Sequence, residues 1–252
     1  MKLLKWKLFG AFCMLTGSSQ VAIASSDEHK LEKKYAARRL HHHEKIVHFV
    51  RHAEGHHNVA ARNDPLRGYL RNDLEDAHIT EEGLKQCQEL SEKMKHVTAH
   101  SQLLVVSPMS RTLQTASHSF PHLQHKIPWV SIECIRERTG LHPCDKRRAL
   151  SVYKQQYTYV DFDHIHHEED PLFPKYTLRE PEEQVKARAR EFLDWLASRE
   201  EREIVVVSHS NFLRILLNQV LQVELQHEDQ GGKFANCEIK TYVLRLPTSR
   251  KL

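Results

Sequence analysis

The sequence predicts an α/β fold, a three-layer α/β/α sandwich around a mostly parallel central sheet. Two observations carry that expectation. Apolar runs of strand length, Ile46-Val47-His48-Phe49-Val50, Leu103-Leu104-Val105-Val106 and Ile204-Val205-Val206-Val207, are each followed by helix signals, and strands alternating with helices build layered sheets. Each run also leads into Arg, His or Ser where a helix is due to begin, the position at which open α/β folds bind ligands. A chain of 252 residues suffices for one sizeable domain and is too short for two large ones.

At the start, Met1 to Lys7 is basic, Leu8 to Thr16 is mostly apolar, and Ala22-Ile23-Ala24 has the small-x-small pattern of a cleavage site. This predicts a secretory signal peptide over 1–24, too short in its apolar part to span a bilayer. The expected location is therefore the secretory pathway or outside the cell. An organelle or the cytoplasm becomes the expectation if this segment is not a secretory signal. Loss of Lys2, Lys5 and Lys7 with no acid takes the formal charge from +4 to +1. A nearly neutral chain without a basic, aromatic-laced patch predicts no nucleic-acid partner, and cleavage leaves no stable membrane anchor. Oligomeric state is not written in the sequence.

Residues 25–43 are charged and polar and end in His41-His42-His43, which reads as a solvated linker or a frayed helix; the domain is expected over 44–252. Thr80-Glu81-Glu82 opens a helix marked by Leu84, Cys87, Leu90, Met94 and Val97. Ile127–Ile132 reads as a strand, and Val185, Ala189, Phe192 and Leu196 as a helix stripe after Pro181. Phe212 to Leu221 reads as a buried helix, and Glu238 to Leu246 as a final edge strand. Two irregular stretches, 59–78 and 141–180, are expected to rim the ligand site. Of four cysteines beyond the leader, Cys134 and Cys144 flank one loop and form a candidate disulfide, whereas Cys87 reads as a buried thiol.

The segments at the strand ends carry a family resemblance. Arg51-His52-Ala53-Glu54 with Asn58, Ser107 to Arg111 with Thr115-Ala116, Arg136-Glu137-Arg138-Thr139-Gly140, and Ser208-His209-Ser210-Asn211 together resemble the histidine phosphatase superfamily in its phosphoglycerate-mutase-like branch. Asp76-Ala77-His78-Ile79-Thr80 and Leu141-His142-Pro143-Cys144-Asp145-Lys146-Arg147 resemble a eukaryotic subgroup of phosphoglycerate-mutase-like proteins. The resemblance implies a phosphomonoester hydrolase with His52 as the nucleophile that becomes phosphohistidine. Glu137 is then the general acid and base, and His209 the third catalytic residue. Arg51, Asn58, Arg111 and Ser210 are the implied phosphate ligands; arginine suits that role because its planar fork stays charged and donates two hydrogen bonds to one phosphate. A phosphorylated small molecule or phosphoprotein is the implied substrate, with no cofactor and no metal. A phosphomutase and a silent phosphate-binding regulator are the alternatives.

Some residues depart from the family pattern or bear two readings. Position 57 is His where glycolytic mutases carry Trp, which sets the chain apart from bisphosphoglycerate-dependent mutases. Arg136 and Arg138 would tend to keep Glu137 ionised, whereas burial would push the other way, and the sequence leaves that balance open. Glu54 reads either as an orienter of the pocket or as a helix-start acid. Arg62, Arg67 and Arg71, and Lys146-Arg147-Arg148, read either as substrate contacts or as ordinary charged loops. The tract His164-Ile165-His166-His167-Glu168-Glu169-Asp170 has no ordered ligand spacing and reads, like His41–His43, as solvated rather than metal-binding.

Overall fold

A computed structural model describes residues 20–23, 44–173, 179–222 and 233–246. The expected linker and most of the expected leader lie outside them. Strands β2 (Glu44–Arg51), β5 (Glu203–Ser208), β3 (Leu103–Val106) and β4 (Trp129–Ser131) lie side by side in that order, all parallel. β6 (Ile239–Arg245) adds antiparallel to β2, and β1 (Gln20–Ile23) adds antiparallel to β6. The sheet is thus six strands, mostly parallel, in the order β1-β6-β2-β5-β3-β4.

The parallel strands are apolar on both sides because helices cover both. On one face Val47, Phe49, Val105 and Val206 pack against α5 (Glu182–Ser198) and α6 (Ser210–Ile215) through Val185, Phe192 and Phe212. On the other, Val50, Leu104 and Val207 meet α2 (Glu81–Met94), α3 (Ser110–Ser119) and α4 (Leu150–Gln156) through Cys87, Leu90, Leu113 and Tyr153. Each such side chain, fully buried, stabilises the fold by roughly 1.5–3 kcal/mol. The α/β/α sandwich is as the sequence predicts.

Local signals hold where the chain decides alone. Thr80 caps α2 by accepting from the Gly83 N–H at 3.0 Å. Differences arise where distant segments intervene. β6 is an inner strand rather than the edge, since β1 pairs along it. The helix expected over Phe212 to Leu221 begins as α6 and continues as a π turn over Leu216–Val220. Cys87, Cys134, Cys144 and Cys237 are all free and buried, so the Cys134–Cys144 disulfide is not formed.

Candidate active site

β2 ends at Arg51, and His52 follows where its N–H donates to Ser208 O (3.0 Å), one step beyond the strand pairing. The segment before β6 fastens this corner. Arg51 Nη1 donates to Phe234 O (2.7 Å), and the Cys237 N–H and Asn236 Nδ2 both donate to His52 O (each 3.2 Å). On the far side, Ala53 N–H donates to Thr115 Oγ1 (2.9 Å) in α3. The nucleophile candidate is thereby held by three separate parts of the chain.

His52 is buried, and its Nδ1 lies 2.8 Å from Ala53 O. A carbonyl only accepts, so Nδ1 carries the hydrogen and Nε2 keeps its lone pair in the neutral ring. Two further imidazoles flank it, His209 and His57, each with its ring centroid 5.3 Å from that of His52. Burial first, and then the Arg111 charge, hold all three well below the ordinary histidine value. Three neutral rings therefore share one enclosed space at pH 7.

α1 (His56–Asn63) begins immediately after this corner. Asn58 Oδ1 accepts from the Gly55 N–H (3.0 Å) and from Asn236 Nδ2 (3.2 Å), which orients its amide and leaves Nδ2 as the donor end. Gly55 has to be glycine for a packing reason: a Cβ there would lie 2.7 Å from the His57 ring. His57 was not among the sequence candidates; twenty histidines in the chain hid the one that packs beside His52.

Arg111, the second residue of α3, is 1% exposed. Its η nitrogens donate to Cys144 O (2.6 Å) and Asp145 Oδ1 (3.0 Å). Part of the expected fork is thus spent on the 143–145 turn. Asp145 also accepts from Arg179 (2.8 Å), so a single buried carboxylate positions two arginines. A second buried acid, Asp76, fixes the start of α3 by accepting from the Ser110 N–H (2.8 Å), the Ser110 hydroxyl and Tyr153 (2.7 Å). Its backbone is left-handed (φ 44°), a conformation that Asp tolerates better than most residues.

His209 stands at the end of β5, with its Nε2 2.8 Å from Ser107 Oγ at the end of β3. Ser210 opens α6 beside it. Glu137 is oriented by backbone amides: the Arg138 N–H at 2.8 Å and the Asn211 N–H at 3.3 Å. The expected arginine partners are engaged elsewhere. Arg136 is fully buried on Asp170 (2.7 and 2.8 Å), and Arg138 donates to Glu180 O (2.5 Å). Residues adjacent in sequence point apart in this extended loop, and the Glu137 carboxylate instead lies close enough to Arg51 to favour that arginine's charged form.

Most of the ambiguous charges have structural partners. Glu54 pairs with Arg62 and accepts from the Thr80 hydroxyl (2.9 Å), and Arg71 pairs with Asp73. Arg147 is buried against four carbonyls and Glu133, while Lys146 and Arg148 reach Glu75 and Asp76. In the second histidine tract, His164 packs on Trp195, Glu168 accepts from Ser151, and Asp170 holds Arg136. His41–His43 lies outside the described residues.

Of the buried side-chain polar atoms with no hydrogen-bond partner among the described residues, some are scattered, such as His122 Nδ1, Trp129 Nε1 and Ser131 Oγ, and four gather around His52. These four are Arg51 Nε, Arg111 Nε, His57 Nδ1 and His209 Nδ1. Buried polar groups are ordinarily satisfied, and two of these four nitrogens belong to guanidinium cations that can only donate, so their gathering around one neutral imidazole fits an anionic ligand. The neutral rings also set a pH dependence. Each takes up a proton in the unfolded chain below about pH 6.5 and not in the folded one, so the unfolded state binds more protons there. Stability is full above that pH and falls as pH drops, by about 1.4 kcal/mol per pH unit per group, until the depressed folded-state values are reached. Thermal melts from about pH 8 to about pH 5 should show Tm falling steeply below 6.5, with partial recovery in phosphate. A flat profile would mean the rings are charged when folded.

The sequence profile of the histidine phosphatase superfamily (branch 1) matches residues 47–246. Phosphoglycerate mutase-like protein 1 of Arabidopsis thaliana is 35% identical over 231 residues, covering 79% of this chain and 81% of its own. A second Arabidopsis phosphoglycerate mutase-like protein is 34% identical, with 79% and 84% covered. Among solved structures, the alpha-ribazole phosphatase of Shigella flexneri shares the fold at a TM-score of 0.52 and 18% identity, covering 81% of this chain and 96% of that one.

Proposed function

Since the chain belongs to the histidine phosphatase superfamily, branch 1, a superfamily of phosphatases and phosphomutases, we propose that it hydrolyses phosphomonoesters through a phosphohistidine on His52. The observation that carries this reading is a neutral, Nδ1-anchored His52 ringed by four buried nitrogens without a hydrogen-bond partner among the described residues, two of them on arginines. His52 Nε2 attacks phosphorus, the bond to the leaving oxygen breaks, and Glu137 supplies the proton that the leaving alkoxide takes. The Glu137 carboxylate then removes a proton from water as its oxygen attacks, the phosphorus–nitrogen bond breaks, and His52 returns to neutrality.

Charge on the nonbridging oxygens is met by Arg51 and Arg111. Each contributes roughly 4 kcal/mol at about 4 Å and an effective dielectric near 20. The donors are fixed before substrate arrives, which is where electrostatic catalysis gains most. Asn58 Nδ2, His209 and the Ser210 amide complete the set of donors. His57, outside the expected list, is a further neutral donor to the same oxygens.

Phosphate release from a panel of phosphomonoesters, with acid quenching to trap acid-labile phosphoprotein, tests the reading. Release together with a trapped intermediate is expected; a folded protein that binds phosphate yet traps nothing would point to a receptor. The names borne by the Arabidopsis relatives favour a phosphomutase as the second reading. A bisphosphorylated cofactor that stimulates product isomerisation would select it. Glu137→Gln keeps an acceptor for the Arg138 and Asn211 amides but removes the titrating group. It is expected to lower kcat by about 10²–10⁴-fold, with the larger loss for esters of less acidic alcohols. An equal loss for all esters would remove Glu137 from leaving-group protonation.

A further inference from the structure

Beyond His57 the surroundings of His52 change character. Tyr69 lies 6.1 Å from His57, and His142 stacks on Tyr69 with centroids 4.9 Å apart and planes 13° apart. Tyr69 is also close enough to Arg51 to bear on its charge, so the stack is continuous with the phosphate pocket. Arg179 Nη1 donates to His142 Nδ1 and to Asp145 Oδ2, both at 2.8 Å. An arginine only donates, so in the neutral ring His142 Nε2 carries the hydrogen. Burial and the Arg179 charge keep His142 below the ordinary histidine value.

Two of the cations along this wall share one carboxylate. Asp145 meets Arg179 on one side and Arg111 on the other. The apolar side chains are distributed unevenly: of the four large hydrophobics exposed among the described residues, Leu66, Leu70 and Leu141 lie within three residues of Tyr69 or His142. Exposed apolar side chains on the segments that carry an aromatic stack, itself next to a polar site, mark a place suited to a ligand's apolar part.

We propose that Tyr69 and His142, bordered by Leu70 and Leu141, form a leaving-group subsite that selects phosphomonoesters of uncharged aromatic alcohols. This rests on the hydrolase reading and narrows it. At the stack itself a second anionic group on the substrate would meet a neutral imidazole and, in Arg179, an arginine already paired. A polyhydroxylated group would give up its water against aromatic and leucine surface without recovering the hydrogen bonds. A flat apolar ring gains on both counts, because the stack offers it π-faces and edges.

The test compares three primary alkyl phosphates of similar leaving-group acidity with the full chain: phenethyl phosphate, glycerol phosphate and the phosphate of hydroxypropionate. The expected kcat/KM favours phenethyl phosphate over each of the others by at least about tenfold, or about 1.4 kcal/mol. Tyr69→Ala, and separately Leu141→Ser at a 46%-exposed position that does not threaten folding, should move that ratio toward one. Glycerol phosphate or the carboxylate ester turned over equally well or better overturns the subsite and leaves the hydrolase standing. An unchanged ratio in both variants does the same. No turnover of any ester, with no trapped phosphohistidine, overturns both.

Discussion

Replacing His52 by alanine is expected to reduce phosphate release by at least about 10⁴-fold, the scale on which loss of a nucleophile is felt in enzymes that form covalent intermediates. The fold should survive. His52 donates one side-chain hydrogen bond, to its neighbour's carbonyl, while the backbone bonds that bind this corner to β5 and to residue 237 come from main-chain atoms. The substitution also removes a buried ring whose neutrality destabilises the fold at acid pH, so the variant should lose less Tm than wild type below about pH 6.5. Its acid-labile phosphoprotein should vanish while phosphate still raises its Tm. Wild-type turnover in a correctly folded variant would remove His52 from the chemistry.

Arg111→Met should be almost as damaging, and on two scales at once. Turnover is expected to fall about 10³-fold, the equivalent of the roughly 4 kcal/mol of charge stabilisation it supplies. Stability should fall as well, because Cys144 O and one oxygen of the buried Asp145 lose their donors. Orphaning a buried charge costs roughly 3–5 kcal/mol; Arg179 remains on Asp145, so the loss belongs near the lower end. Denaturant titration measures it. Arg111→Lys should restore little, since a single ammonium cannot hold the turn and face the ligand together. A variant with lost activity and unchanged stability would break the link between the turn and the pocket.

The parallel strands and their chemical ends were legible because the determinants are local. An apolar run that stops at Arg51-His52 or at Ser208-His209 announces both its burial and its terminus. The same locality misled at Glu137, where neighbours in sequence were taken for neighbours in space; Arg136 turns to Asp170, 34 residues away. Asp145, Asp76 and Arg179 were invisible as positioning residues, since their partners lie 34 or more residues distant and no spacing encodes such pairs. His57 stood between the two, five residues from His52 but lost among its kind.

Strand β1 gives the fate of one peptide bond a consequence for assembly. It is drawn from the stretch expected to be removed after Ala24, and it pairs Gln20–Ile23 with Tyr242–Arg245 of β6. A chain matured at that bond keeps every residue proposed for catalysis but loses its outermost strand. β6 then ends the sheet with an open row of main-chain donors and acceptors, the kind of border that recruits a further strand from another molecule. Processing would thus leave the chemistry untouched while changing what the protein is able to adhere to.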